Sequence, residues 1–198
     1  MSLNPQSYDV TWAPAEINAP NLAHWVGFVM PGITKFTMNN ISASAIFIVS
    51  ASDLVSIECP NLEWMELLIN IANANQTTAS FPSLSTVLQD VSLSENNLQL
   101  VDLSSLSIVG KSINFNSNDN LTTFNLPSLS DLGEDFVAQN CALDETTVNN
   151  ILIKLNDISW AAGGKSCILD GGTSAAPTGD GILAKDSMLS ASATVNTN

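Results

Sequence analysis

The sequence predicts a mainly β protein, a β-solenoid of about six turns over residues 1–143 that is closed by a small α/β cap over residues 144–198. Three observations carry this prediction. An apolar pattern returns at nearly constant intervals, each copy holds two short stretches of alternating apolar and polar residues, and after Leu143 the pattern becomes that of an amphipathic helix. Self-similarity at a fixed period is typical of stacked repeat architectures.

The repeat is defined by positions that recur together. The first position is held by Ile33, Leu54, Gln76, Leu98 and Leu121, whose numbers rise in nearly equal steps. Three places later stand Phe36, Ile57, Ala79, Val101 and Phe124, and eight places later stand Ile41, Leu62, Leu84, Leu106 and Leu129. With a weaker copy over residues 17–22, the count reaches about six. We expect each row to form one column inside the solenoid.

Each copy predicts two strands and two changes of direction. Proline follows the first alternating segment at Pro60, Pro82 and Pro127. Because proline cannot donate to a strand ladder, it is expected to end the first strand, and the Leu-x-x-Leu step behind it turns the corner. A later apolar pair such as Val91 and Leu93 predicts the second strand. Asparagines that tolerate left-handed backbone close each copy.

After Leu143 the pattern predicts a capping unit. Asp144 is the expected N-cap of an amphipathic helix. Its apolar face comprises Val148, Ile151, Leu152, Leu155 and Ile158. A strand, a glycine-rich turn, a short helix around residues 182–189 and a final strand over residues 194–197 are expected to follow. Such a unit would cover the open core and strand edges at the end of a solenoid.

The last copy resembles the BspA-type leucine-rich repeat in the order Leu121, Phe124, Leu126, Pro127, Leu129, Leu132, Phe136 and Cys141. The resemblance covers roughly residues 14–143. It departs at the single residue between Pro127 and Leu129, at Gln76 in place of leucine, and at Cys141, which has no counterpart in earlier copies. It implies a leucine-rich-repeat-like solenoid that serves as a binding surface.

The C-terminal stretches ALDETTVNNIL, LDGGTSAAP and TVNTN resemble the closing module of repeat proteins of tailed bacteriophages and their hosts. This second resemblance covers the region from Asp144 to the end of the sequence. It implies a protein that is associated with a virion.

Composition excludes several classes of partner. The net charge of −14 comes from 19 acidic residues against five lysines, with no arginine. Nucleic acid and acidic membrane surfaces need clustered basic residues, so neither is expected as a partner. No apolar run approaches the roughly 20 residues that cross a bilayer, so no membrane insertion is expected. The stretch MSLNPQSYDV at the start lacks the pattern of a secretory signal.

Neither catalysis nor a metal or cofactor site is expected. His24 is the only histidine and is interpreted as structural. The acidic pairs at 134–135 and 144–145 are candidates for glycosidase carboxylates, but adjacent residues of a strand point to opposite faces. Asp170 and Asp180 lie among glycines without the spacing of an EF-hand and are interpreted as turn residues. The three cysteines lack metal-ligand spacing and are expected to be buried.

Trp64 is the leading candidate contact residue. Its equivalents in later copies are Thr86, Ile108 and Asp131. A position that accepts Thr and Asp is expected to be exposed, and a tryptophan half-buried against the next turn is the alternative. Outward positions of the second strand add Ser92 and Asn114. Small polar groups without arginine favour a neutral glycan or a protein over a phosphate.

The expected function is therefore that of a non-enzymatic virion structural protein, a fibre, spike or decoration protein that presents a repeat surface for host attachment or virion assembly. Its expected partners are other virion proteins, further copies of the chain, and a glycan or protein of the host surface. Its expected location is the virion, assembled in the host cytoplasm. A leucine-rich-repeat adhesin of the bacterial cell surface and a polysaccharide-cleaving tail spike are the alternatives.

Overall fold

The computed structural model describes residues 16–18, 26–29, 34–37, 43–50, 53–68, 75–158, 160–161 and 163–198. The strands in this part of the chain are β1 (Glu16–Asn18), β2 (Val26–Val29), β3 (Lys35–Thr37), β4 (Ala43–Ser50), β5 (Ser56–Glu58), β6 (Trp64–Leu68), β7 (Thr78–Ser80), β8 (Thr86–Val87), β9 (Val91–Ser92), β10 (Leu100–Asp102), β11 (Ile108–Val109), β12 (Ile113–Asn114), β13 (Asp131–Leu132), β14 (Phe136–Val137), β15 (Ser166–Ile168) and β16 (Thr194–Asn196). The helices are α1 (Glu145–Asp157) and α2 (Gly179–Ser190).

The strands pair in parallel as three ladders, which makes the protein a mainly β solenoid. The first ladder runs β1–β3–β5–β7–β10. The second runs β4–β6–β8–β11–β13, and the third runs through β9, β12, β14, β15 and β16. The long strands β4 and β6 belong to both the second and the third ladder. About three complete turns lie in the continuously described residues 75–143.

A turn therefore has three strands where the sequence predicted two. The additional strand is the short element that lies behind the proline, such as β8 and β11, each of 2 residues. Such a strand is too short to show an alternating pattern, so periodicity could not reveal it. The prediction that proline follows the first strand is confirmed in two copies, since β5 ends two residues before Pro60 and β7 ends two residues before Pro82. No strand precedes Pro127.

The predicted interior columns are confirmed for the side chains that the structure describes. Buried members of the two columns are Ile57, Ala79, Val101 and Phe124, then Leu62, Leu84, Leu106 and Leu129. The side chains of Phe36 and Ile41 lie outside the described part. Strand register joins Ile57 to Ala79 and Ala79 to Val101. Each fully buried aliphatic side chain contributes roughly 1.5 to 3 kcal/mol before entropy is subtracted.

Serine side chains tie successive turns together at the corner before the second ladder. Ser85 donates to the carbonyl of Glu63 (2.9 Å), Ser107 to that of Ser85 (2.9 Å), and Ser130 to that of Ser107 (3.0 Å). Each of these bonds spans one repeat period along the chain. Each of these carbonyls also accepts a backbone N–H of the next turn, so the hydroxyl is a second donor.

A second column, made of carboxylates and a hydroxyl, stabilises the corner before the third ladder. Asp90 Oδ1 accepts from the backbone N–H of Ser112 (3.2 Å), and Ser112 Oγ accepts from the N–H of Asp135 (3.2 Å). Asp135 Oδ1 in turn accepts from the N–H of Ser166 (2.7 Å). Each side chain replaces the strand partner that a bending backbone loses.

The corner behind the third ladder holds a buried amide column. Asn118 donates to the carbonyls of Leu93 (2.9 Å) and Phe115 (2.7 Å) and accepts from the N–H of Leu98 (3.1 Å). The residues in the corresponding place of the other turns are Asn96, Cys141 and Ser174. The prediction that Cys141 has no counterpart in earlier copies is therefore wrong, because asparagine holds its place there. Its Sγ bonds the carbonyl of Phe115 (3.3 Å), as the amide of Asn118 bonds that of Leu93.

Residues 144–198 contain the elements that the sequence predicted, and they also extend the sheet. Asp144 is the N-cap of α1, and its side chain accepts from the N–H of Thr147 (2.7 Å). The buried residues of α1 include Val148, Ile151, Leu152 and Leu155. Strands β15 and β16 add two members to the third ladder, in register with β14. The helices α1 and α2 connect these three parallel strands and pack against each other.

Long side chains of the C-terminal region cover carbonyls at the end of the last solenoid turn. The pairs are Lys154 Nζ with Pro127 O (2.9 Å), Lys165 Nζ with Leu132 O (2.8 Å), and Trp160 Nε1 with Glu134 O. In earlier turns the next turn supplies these donors, as a backbone N–H at the places of Leu132 and Glu134 and as a serine hydroxyl at the place of Pro127. The three side chains occupy the strand edge at the end of the solenoid, which would otherwise be open to pairing with another chain.

The first ladder ends at β10, although the sequence predicted one more strand in the last copy. Residues 121–126 have no strand assignment. The carbonyls of Leu121 and Thr122 instead accept from Ala142 (3.1 Å) and Asp144 (2.9 Å), in the segment that leads into α1. Phe124 remains buried there.

Candidate binding surface

The predicted row through Trp64 is a row of the second ladder. Register pairs Trp64 with Thr86, Thr86 with Ile108, and Ile108 with Asp131. Trp64 is partly buried, and Ile108 and Asp131 are exposed. The following residue, Met65, is fully buried, as alternation requires. This burial matches the second alternative that the sequence left open, a tryptophan half-buried against the next turn.

Ser92 and Asn114 form a separate row on the third ladder. Register pairs them directly, and both are partly buried. Asn114 Oδ1 already accepts from the N–H of Asn116 (2.9 Å), which fixes the amide at the corner. Its N–H₂ group makes no hydrogen bond within residues 75–158, so it is the part of the side chain that a partner can use.

The three predicted contact residues lie on neighbouring faces, which meet at the corner before the third ladder. Strand β6 passes from one face to the other, because Trp64 pairs with Thr86 and Leu68 pairs with Val91. Sequence reasoning missed Leu88, which lies at this corner and is 50% exposed. No sequence pattern indicated that Leu88 is exposed, because this residue lies outside the repeat positions used to define the core.

The first ladder presents a third, more acidic face. Register aligns Glu58, Ser80 and Asp102 in one row. Glu58 forms an ion pair with Lys35 (3.1 Å), and the hydrogen bond from Lys35 holds the pKa of Glu58 below its ordinary value. Leu100, which is 55% exposed, lies beside this row in a shallow depression.

Three of the four carboxylates considered for catalysis, and Asp170, make structural contacts. Asp135 and Asp144 hold the backbone of Ser166 and Thr147, as described above. Glu145 accepts from Thr178 Oγ1 (2.7 Å), and Asp170 accepts from Gln139 Nε2 (3.0 Å). Within the described residues, no group of three or more His, Cys, Asp or Glu is placed to hold a metal ion. His24 lies outside the described residues.

All three cysteines are buried, as the sequence predicted. Burial raises the pKa of Cys141 to about 11 and also raises that of Cys167. Because the thiolate is the reactive form, these two side chains are inert thiols at neutral pH.

No protein-family model, no curated protein and no solved structure matches the chain. Neither described helix has the length and apolar character required to cross a membrane.

Proposed function

We propose that this chain is a non-enzymatic virion structural protein, a fibre, spike or decoration protein whose repeat surface serves host attachment or virion assembly. The observation that carries the proposal is the alignment of outward side chains on adjacent ladders. One row contains Trp64 and Ile108, and the next contains Ser92 and Asn114. Rows repeated at the strand spacing of about 4.8 Å suit an extended or repeated partner.

The chemistry of these rows favours a neutral glycan or a protein of the host surface. Ser92 and Asn114 offer a hydroxyl and an amide, and the chain has no arginine for bidentate binding of phosphate. The net charge of −14 disfavours anionic ligands further. The partly exposed indole of Trp64 is expected to make the strongest single contact, since buried aromatics dominate interface energies.

We also propose that the solenoid extends over about six copies of leucine-rich-repeat type. The pairing of β1 with β3 and of β3 with β5 supports the extra turns, because their register follows the predicted alignment of copies. The buried column of Asn96 and Cys141 supports the repeat type. In each case an apolar-x-apolar strand is followed, three places on, by Asn or Cys and then by a leucine two further on.

Mass spectrometry of purified virions from the source culture tests the location. Cleavage after lysine yields the peptides of residues 155–165 and 166–185, whose lengths suit detection. We expect both in particles that sediment as intact virions. Their recovery from the outer surface of virus-free cells instead would favour the bacterial adhesin.

Binding of the purified chain to host cells tests the surface. Trp64→Ala, and a second variant with Ser92→Lys and Asn114→Lys, are expected to weaken binding at least tenfold if their rows make the contact. The matched controls lie on the first ladder: Leu100→Ala for the aromatic, and Thr78→Lys with Ser80→Lys for the added charge. Equal loss in test and control variants would contradict a contact at these rows. Loss of polysaccharide from the cells would favour the tail-spike enzyme.

A further inference from the structure

The junction between the solenoid and α1 contains a cavity of about 280 Å³. Its origin is geometric. Successive strands of a ladder stack about 4.8 Å apart, whereas a helix packs about 10 Å from its neighbour. The first ladder stops at β10, and α1 follows the last solenoid turn without a regular strand between them. The wider spacing leaves a space that the side chains of α1 only partly fill.

The inner wall of the cavity is apolar and partly aromatic. Phe124, Phe136 and Leu129 come from the last turn, and Ile151 and Leu155 come from α1. The rings of Phe124 and Phe136 lie nearly parallel, with centroids 6.2 Å apart and an interplanar angle of 15°. All five side chains are buried. A charged ligand would lose its hydration in this interior without gaining a partner.

Two amides line the cavity and reach the surface. Asn125 and Asn150 are exposed lining residues, and neither side chain makes a hydrogen bond within the described part of the chain. The neighbouring Asn149, in contrast, is held by Thr178 in both directions (3.1 and 2.9 Å). The two lining amides are therefore not needed to hold the fold and remain able to pair with a ligand.

The charged groups beside these amides argue against an anionic ligand. Lys154 lines the cavity, but its ammonium group is engaged with the carbonyl of Pro127 (2.9 Å). Asp157 adds an exposed carboxylate to the lining. The opposite charges of Lys154 and Asp157 offset each other, so the lining offers an anion no net positive charge.

From this lining we infer that the cavity is a binding site for a small uncharged aromatic molecule of one or two rings that carries a hydrogen-bonding group. A cavity of roughly 150 Å³ lined by aliphatic and aromatic side chains accepts benzene, so the larger volume here suits phenol or indole. The ring would lie against Phe124 and Phe136, and its polar group would face Asn125 or Asn150. The inference is independent of the proposed attachment function.

Titration of the full chain with phenol and with indole tests the inference. We expect saturable one-to-one binding, with NMR shifts concentrated at Phe124, Leu129 and Ile151. Ile151→Phe fills the cavity and should weaken binding at least tenfold while the chain stays folded. Leu129→Phe is the second filling variant if the first does not fold. An absence of saturable binding by the parent chain, or unchanged affinity in a folded filling variant, would overturn the assignment.

The amides are tested by Asn125→Ala combined with Asn150→Ala. Loss of one neutral hydrogen bond should weaken probe binding about fivefold. The control combines Thr123→Ala with Thr146→Ala, which are exposed residues of the same two segments that do not line the cavity. Equal affinity in both pairs would overturn the requirement for a hydrogen-bonding group. Equal shifts with methyl glucoside, a neutral sugar, would overturn the aromatic class.

Discussion

At the scale of single residues, polar side chains decide how one turn meets the next. Three corner columns, of serine, of aspartate with serine, and of asparagine, form hydrogen bonds with backbone groups at the corners. Gly110 and Gly133 show how closely the turns approach. A Cβ at Gly110 would collide with the carbonyl of Leu88, and one at Gly133 with the carbonyl of Gly110. Some corner positions therefore require glycine because the turns approach closely, and others require a side chain that forms hydrogen bonds with the backbone.

Asn118→Ala should lower the free energy of unfolding by about 1 to 3 kcal/mol, because it leaves the buried N–H of Leu98 without its acceptor. The carbonyls of Leu93 and Phe115 lose their shorter bonds to this amide and keep only longer ones, to Asn96 (3.3 Å) and Cys141 (3.3 Å). Denaturant unfolding measures the loss. Asn120→Ala is the control, since Asn120 is exposed and makes one side-chain hydrogen bond, to Asn97. A similar loss in both variants would contradict a special role for the buried amide.

Gln76→Leu should instead stabilise the protein, by about 1 kcal/mol. Gln76 is fully buried in a position that leucine holds in neighbouring turns. Its Nε2 donates to the carbonyl of Thr78 (2.9 Å), but its Oε1 makes no hydrogen bond in the described structure. A rise in the unfolding midpoint is the expected readout, and Gln139→Leu, at a partly buried position, serves as the comparison. Destabilisation by Gln76→Leu would show that Oε1 of Gln76 makes a hydrogen bond that contributes to the stability of the fold.

At the scale of elements, two-residue strands persist because neighbouring turns hold them. Strands β8, β11 and β13 are each too short to be stable alone, and each is paired in register with the turn before it. The helix α1 differs, since its N-cap and its apolar face are specified by residues that lie close together in the sequence. Local sequence therefore specifies the helix, whereas stacking specifies the strands.

Leu106→Ala tests the stacking directly. Leu106 is fully buried in a middle turn, in the interior column that also holds Leu84 and Leu129. The truncation should cost about 2 to 5 kcal/mol, as the loss of a buried leucine side chain leaves a cavity. Ile108→Ala, at a nearby position that is 40% exposed, should cost far less. A loss below about 1 kcal/mol for Leu106→Ala would place this side chain outside the effective core.

At the scale of the whole molecule, the C-terminal region both ends the solenoid and continues it. Strands β15 and β16 prolong the third ladder, while α1 and α2 occupy the course of the other two. Lys154, Trp160 and Lys165 cover carbonyls of the last solenoid turn. The region predicted as a separate cap is thus joined to the solenoid by a continuous sheet.

Truncation after Leu143 should expose this end and cause self-association. The variant would uncover Phe124 and Phe136 and would remove the three side chains that cover the strand edge. Light scattering should report oligomers, and a hydrophobic dye should bind more strongly than to the full chain. Removal of Thr197 and Asn198 alone is the control. A monomeric, stably folded product that ends at Leu143 would show that the solenoid is independent of its cap.

The sequence by itself determined the repeat period, the interior columns and the start of α1, because burial and capping depend on residues whose spacing is visible along one chain. It also placed Trp64 in its correct row, since register follows the period. Only the tertiary structure decided the third strand of each turn, the equivalence of Cys141 with Asn118, and the cavity beside α1. These features arise from contacts between different turns, where a hydrogen bond or a gap depends on how closely two segments approach. The spacing of residues along one segment of the sequence does not specify the distance between two segments in the fold.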